Sequence, residues 1–143
     1  MRKFILIALL FTSVPASAQD IGQRTQSAEQ LLVQMRGRSA DEDLATSIEA
    51  ANAHPLGTLA NPVRVGGPEG ERSYIARLRC GDGSTPRLGA RSEGGVGAFG
   101  TVVGSYPLDC GAAAPGRTTL MFDMYHAEHA ESRPPAGFTI APR

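Results

Sequence analysis

The sequence predicts a small α+β domain in which two N-terminal helices pack on a small antiparallel sheet closed by one disulfide. Three observations lead to this fold class. Apolar residues have helical spacing before His54, apolar and polar residues alternate after Gly57, and the second half contains two cysteines. Helices that precede strands along a chain are typical of α+β domains with antiparallel sheets. We therefore expect both helices to cover one face of the sheet.

The first predicted helix lies in the stretch from Gln19 to Gly37. Its apolar residues fall three, four and seven positions apart, which places them on one face. Ser27 and Gln30 have the spacing of a capping box, in which each side chain bonds to the other residue's backbone. Gly37 predicts the end of this helix, because glycine is the common residue just past a helix C-terminus.

A second helix is expected to begin directly afterwards and to end near His54. Ser39 and Glu42 repeat the capping-box spacing, and acidic residues here suit a helix N-terminus electrostatically. Pro55 and Gly57 predict the end of this helix. Its apolar stripe is narrow, so the helix needs support from the rest of the domain.

The remainder of the chain predicts strands separated by glycine- and proline-rich turns. Alternation of apolar and polar residues is typical of strands with one buried face. The segment Gly66–Gly70 is read as a turn. The predicted strands are Val63–Val65, Tyr74–Cys80, Val102–Cys110, Thr118–His126 and Phe138–Ile140.

Cys80 and Cys110 are the only cysteines in the chain. An even number of cysteines in an exported protein predicts a disulfide. Each cysteine has the same parity as the inward residues of its predicted strand, as a bond between neighbouring strands requires. A catalytic thiol or a pair of metal ligands is the alternative, but neither cysteine belongs to a C-x-x-C motif.

Residues 1 to about 18 predict a cleavable signal peptide. Arg2 and Lys3 precede an apolar run, and Ala16-Ser17-Ala18 fits the cleavage site. The apolar run is too short for a membrane-spanning helix, which needs about 20 apolar residues. We expect a periplasmic or secreted protein that comprises residues 19–143 as one domain, with no membrane insertion after processing.

Charge and composition narrow the classes of partner. Removing Arg2 and Lys3 turns a balance of 14 basic and 14 acidic residues into a small acidic excess. This balance argues against nucleic acid, which binds to basic surfaces. We expect an unknown partner in the cell envelope or outside the cell.

A glycine-rich segment, Gly89–Gly100, follows the first predicted strands. Gly95, Gly97 and Gly100 match the G-x-G-x-x-G pattern, but a strand signal follows where dinucleotide binding requires a helix. We interpret the segment as a turning loop held at its base by the disulfide, and such a loop can serve as a recognition surface. Its predicted contact residues are Arg87, Arg91, Glu93 and Phe99.

Metal-capable side chains cluster near the C-terminus. Imidazole and carboxylate groups bind zinc or copper. If the predicted strand ends near His126, then His126, Glu128 and His129 could converge around its end. Asp123 would lie on the opposite face of that strand. The competing interpretation is a solvated polar strand end.

No complete catalytic set is present in the sequence. There is no G-x-S-x-G motif for a serine hydrolase and no H-E-x-x-H motif for a metalloprotease. We therefore expect a non-enzymatic binding or structural protein without a cofactor. The alternative is a small metal-binding protein that uses His126, Glu128 and His129, and a weak enzyme with paired carboxylates is a third reading.

Overall fold

The structure, a computed structural model, describes residues 27–143, and the predicted signal peptide lies outside them. Within this range neither helix is long and apolar enough to span a membrane. The described elements run in the following order: α1 (Ala28–Ala51), β1 (Val63–Arg64), α2 (Gly67–Arg77), β2 (Leu78–Arg79), β3 (Arg87–Leu88), β4 (Ser92–Val96), β5 (Val102–Asp109), β6 (Arg117–Asp123) and β7 (Thr139–Ile140).

The main sheet is mixed rather than antiparallel. Its strand order is β1-β6-β5-β3, and β4 also pairs with β5. Strand β1 is parallel to β6, while β5 pairs antiparallel with β3, β4 and β6. Strands β2 and β7 form a separate antiparallel pair. Parallel strands need a long crossover connection, and the chain between β1 and β6 runs through α2 and β2 to β5.

Helix α2 forms the core with one face of this sheet. Tyr74 packs edge-on against Phe122 with ring centroids 5.7 Å apart, and Tyr106 packs against the same ring at 5.4 Å. Such edge-to-face pairs add stability beyond the apolar area that they bury. The other buried apolar residues of the core are Val63, Val65, Ile75, Leu78, Leu108, Leu120 and Phe138.

The prediction of two N-terminal helices is wrong, because one continuous helix occupies that region. The predicted capping box of Ser27 and Gln30 begins it, and Asn52 ends it. Gly37 lies inside the helix and is not among the glycines with positive φ. Glycine stops a helix only when it adopts a left-handed conformation, so a lone glycine can also be accommodated as a weak interior residue.

The predicted strand Tyr74–Cys80 is also wrong, because most of it belongs to α2. The strand reading placed Tyr74, Ala76 and Leu78 on one buried face, whereas Ile75 is buried and Ala76 is exposed. The spacing of Tyr74, Ile75 and Leu78 fits a helix face equally well. Pro68 lies in the first turn of the helix, which is a favoured position for proline, so the predicted turn is the helix start.

The disulfide and the remaining strands agree with expectation. Cys80 and Cys110 are bonded with their Cα atoms 5.7 Å apart, so the bond joins the end of β2 to the end of β5. The strands predicted near residues 63, 102, 118 and 138 correspond to β1, β5, β6 and β7. The α+β class is therefore correct, although the arrangement of helices and strands differs from the predicted one.

Candidate functional site

A cleft of about 370 Å³ lies between helix α2 and the segment Ala127–Glu131. We call it the α2 cleft. Ser73 and Arg77 lie on its helix side, and His129 and Glu131 lie on its other side. The remaining lining residues are Val65, Gly66, Gly70, Tyr74, Ala127, Ala130 and Arg143.

Two glycines allow the walls of the α2 cleft to approach each other. A Cβ atom added at Gly70 would lie 3.0 Å from the Cβ atom of Val65, so glycine lets α2 pack closely on β1. A Cβ atom added at Gly66 would lie 3.1 Å from the carbonyl oxygen of Ala127. The cleft is narrow here because the backbones meet without intervening side chains.

Side chains from α2 fix the opposite wall through its backbone. The Tyr74 hydroxyl donates to the carbonyl oxygen of Arg133 at 2.6 Å, and Arg77 donates from Nη2 to the carbonyl oxygen of Glu131 at 2.9 Å. Burial raises the pKa of Tyr74, so its hydroxyl stays protonated and remains a donor at neutral pH. The hydrogen bonds that position the two walls are therefore made to backbone carbonyl groups, away from the open side of the cleft.

Glu131 is a buried carboxylate whose partners are its sequence neighbours. Its Oε1 accepts from the backbone N–H groups of Ser132 and Arg133, and Arg133 also donates to both oxygens through Nε and Nη2. Burial alone would raise the pKa of Glu131, but the side-chain and backbone hydrogen bonds of Arg133 bring it down to about 2. Oε2 lies 3.6 Å from Nε2 of His129, so the carboxylate also faces this imidazole.

A second cleft of about 510 Å³ adjoins the α2 cleft. Arg77, Ala130 and Arg143 line both clefts, so two guanidinium groups lie where they meet. The second cleft is otherwise lined by Ser132, Ile140, Ala141 and Pro142. Together the two clefts offer a groove in which a few polar groups lie among small apolar residues.

A buried carboxylate on the sheet side of α2 takes part in a different network. Glu71 is fully buried, and its Oε2 accepts from the Tyr106 hydroxyl at 2.7 Å and from Nε of Arg91 at 3.2 Å. A Cβ atom at Gly104 would lie 2.7 Å from the Arg91 guanidinium and 2.9 Å from Oε1 of Glu71. Glycine at position 104 therefore makes room for this ion pair under the helix.

Asp123 and His126 form a third buried pair at the end of β6. Asp123 is fully buried and accepts from the Thr101 hydroxyl and from the backbone N–H of Tyr125. Nε2 of His126 lies 3.4 Å from Oδ2 of Asp123, and the imidazole packs edge-on against Phe99. Burial lowers the pKa of His126, and this effect exceeds the opposing influence of Asp123.

The residues of the predicted metal site take separate partners. His126 faces Asp123, His129 faces Glu131, and Glu128 is exposed. Over residues 27–143 no group of three or more His, Cys, Asp or Glu side chains is placed to hold a metal ion. The binding of zinc or copper by His126, Glu128 and His129 stays a prediction.

The predicted recognition loop is built into the sheet in part. Arg87 pairs with Asp109 at 3.0 Å, Arg91 with Glu71, and Phe99 with His126, whereas Glu93 is exposed. The middle of the loop, Ser92–Val96, forms β4, which pairs with β5. Three of its four predicted contact residues therefore have partners within the fold.

Sequence reasoning singled out His129 but missed Ser73, Arg77 and Arg143 of the α2 cleft. Arg77 was assigned to a strand, and Ser73 and Arg143 were not singled out. The signal that could have found them is Gly66-Gly67-Pro68-Glu69, a pattern in which proline and an acidic residue follow the first position of a helix. No family model, no curated protein and no solved structure matches this chain.

Proposed function

We propose that this protein is an exported, non-catalytic binding domain whose ligand occupies the α2 cleft. The observation that carries the proposal is a preformed cleft whose two walls are joined by part-buried hydrogen bonds. Its volume of about 370 Å³ lies in the range of small-molecule sites, which is about 300–1,000 Å³. Such sites combine apolar lining with a few well-placed polar groups, as Val65, Ala130, Arg77 and Ser73 do here.

The fixed position of the cleft walls supports the binding of a small molecule. Tyr74 and Arg77 donate to backbone carbonyls of the opposite wall, and the backbone N–H of Gly67 donates to the carbonyl of Met124 at 2.8 Å. A ligand that enters a preformed site loses less free energy to ordering of the protein. The cleft can therefore bind a small molecule without rearrangement of α2.

The cleft contains a serine, a histidine and a carboxylate, which invites comparison with a hydrolytic triad. In a triad the histidine accepts the serine hydroxyl proton. Among the described residues, no hydrogen bond joins Ser73 to His129, and Glu131 is occupied by the donors of Ser132 and Arg133. These contacts favour binding over catalysis as the task of the cleft.

Export rests on the sequence of residues 1–18, and the Cys80–Cys110 disulfide is compatible with an oxidising compartment. We expect the protein recovered from the periplasm or the medium to begin at Gln19. Mass spectrometry of the intact protein from each cell fraction checks this. Recovery only of a cytoplasmic form that retains residues 1–18 would contradict export.

Ligand binding is tested by screening small molecules for a rise in melting temperature. A ligand at 100 times its Kd should add about 2.7 kcal/mol to the free energy of unfolding. Ala130→Trp should block the α2 cleft and abolish the rise, whereas Ala112→Trp, at an exposed alanine in the loop after Cys110, should leave it unchanged. Hits that bind both variants equally would place the ligand elsewhere and contradict the proposal.

A further inference from the structure

Two arginines mark the place where the α2 cleft meets the second cleft. Arg77 and Arg143 line both, together with the small residue Ala130. A ligand that extends from one cleft into the other must pass these two guanidinium groups. The part of the ligand that lies at this point must therefore be a group that two arginines bind.

The donors of these arginines are only partly used within the fold. Arg77 donates from Nη2 to the carbonyl of Glu131 at 2.9 Å and has a longer contact of 3.5 Å from Nη1 to the carbonyl of Ala141. A guanidinium has five N–H groups, so donors remain. In the range from residue 27 to residue 143, neither Arg77 nor Arg143 forms a salt bridge with a carboxylate side chain.

The charge of the lining residues is correspondingly unbalanced. Glu131 is the only carboxylate side chain among them, and it is ionised because its pKa is about 2. Its charge is matched by Arg133, which binds it at 3.0 Å and does not line either cleft. The guanidinium groups of Arg77 and Arg143 therefore lie at the junction with no carboxylate side chain of the described residues paired to them.

We propose that the ligand carries an oxyanion, a carboxylate or a phosphate, that binds between Arg77 and Arg143. This inference rests on the proposed function, because it names the chemical class of the ligand for the same site. The planar guanidinium matches the geometry of carboxylate and phosphate oxygens and can bind them through two parallel hydrogen bonds. The apolar part of the ligand then lies against Val65 and Ala127 in the α2 cleft.

The test is calorimetric titration of the purified protein in low-salt buffer with four probes. Succinate and inorganic phosphate are the two kinds of oxyanion, succinamide is the neutral counterpart of succinate, and putrescine is a cation of similar length. We expect succinate or phosphate to bind and succinamide and putrescine to fail. The oxyanion that binds more tightly distinguishes a carboxylate from a phosphate ligand, and its affinity should fall as salt screens the charges.

Arg143→Gln should weaken oxyanion binding about tenfold or more, because it removes a charge-assisted hydrogen bond. Arg77→Gln should do the same, and its melting temperature reports whether the wall near Glu131 remains folded. Arg117→Gln is the matched control, since it removes one positive charge at an exposed site on β6 outside both clefts. Its affinity should equal that of the unaltered protein.

The outcomes separate this inference from the proposed function. Equal binding of succinamide and succinate, or an Arg143→Gln affinity equal to that of Arg117→Gln, would overturn the oxyanion assignment. Failure of all four probes would also overturn it if the melting screen finds another ligand that Ala130→Trp blocks, and the proposed function would then stand. If that screen finds no ligand of the cleft, the proposed function fails as well.

Discussion

Helix α1 has 24 residues and α2 has 11, yet the shorter helix contributes more to the core. Glu71, Tyr74 and Ile75 of α2 are buried, whereas Ala51 is the buried residue among the α1 side chains described. Conversely, α1 begins with a capping box, while α2 begins at Gly66 without a side-chain cap. Local hydrogen bonds define α1, and contacts with the sheet define α2. The wall of the α2 cleft therefore depends on the sheet beneath it.

The largest expected effect comes from removing Arg91, the partner of the Glu71 carboxylate that joins α2 to the sheet. Arg91→Met leaves the fully buried carboxyl group of Glu71 with only the Tyr106 hydroxyl on its Oε2. An uncompensated buried charge should lower the free energy of unfolding by about 3 kcal/mol. Urea denaturation measures this loss.

The control for this prediction is Arg87→Met. Arg87 also pairs with a carboxylate, but its side chain is 78% exposed, so its loss should leave the unfolding free energy nearly unchanged. The double variant Glu71→Gln/Arg91→Met should recover part of the stability. If Arg91→Met lowers the free energy of unfolding no more than Arg87→Met does, the pair of Glu71 and Arg91 does not hold α2 on the sheet.

Gly104→Ala tests the same attachment from the sheet side. The new Cβ atom would lie 2.7 Å from the Arg91 guanidinium, which must move away from Glu71. We expect a loss of about 2 kcal/mol in denaturation experiments, as for other overpacked sites. In an Arg91→Ala background the same change should cost less, because the clash with Arg91 is gone. An equal loss of unfolding free energy in the unaltered protein and in Arg91→Ala would refute the proposed clash.

The pH dependence of stability distinguishes Glu131 from ordinary surface carboxylates. Its pKa is lowered from 4.5 to about 2, so its contribution is fully present above pH about 4.5 and is lost as the pH falls towards 2. Arg133→Met should cost about 1–2 kcal/mol at neutral pH and make the loss in acid smaller, because the pKa of Glu131 then lies closer to its unfolded value. Thermal melts between pH 2 and pH 7 measure both effects. An unchanged acid profile in Arg133→Met would contradict the role of Arg133.

The smallest expected effect concerns α1. Gly37→Ala should raise stability by about 0.5–1 kcal/mol and increase helicity in circular dichroism, because alanine is the better interior residue of a helix. Gly83→Ala is the matched control: space is open at both positions, but Gly83 has φ +84 and alanine would be strained there. A loss of stability at both positions would indicate that Gly37 ends a helix after all.

The sequence allowed α1 to be located but not its length. Ser27 and Gln30 act within one turn, so their capping role is visible in the sequence and is confirmed. The effect of Gly37 depends on its backbone conformation, which the residue type alone leaves open. The disulfide was predictable for a different reason, since a pair of cysteines that follows a predicted signal peptide has few other roles.

Helix α2 and its cleft could not be predicted in the same way. Tyr74 and Leu78 fit a strand and a helix equally well, and the packing of the helix depends on distant residues such as Phe122 on β6, which contacts Tyr74. Glu71 gave no signal in the sequence, because its partners Arg91 and Tyr106 lie 20 and 35 residues away. Arg77 and Arg143 come to line the junction of the two clefts only when α2 and the C-terminal segment have packed.

The most direct test of the account is to map a ligand onto the protein by amide NMR. During titration with the oxyanion that binds best, we expect the largest chemical-shift changes at Gly70, Ser73 and Ala127–Ala130, all beside the α2 cleft. The amides of Leu88 and Gly89, which line a separate groove between β3 and β5, should stay unchanged. Shifts confined to that groove, with the α2 cleft unaffected, would contradict the account.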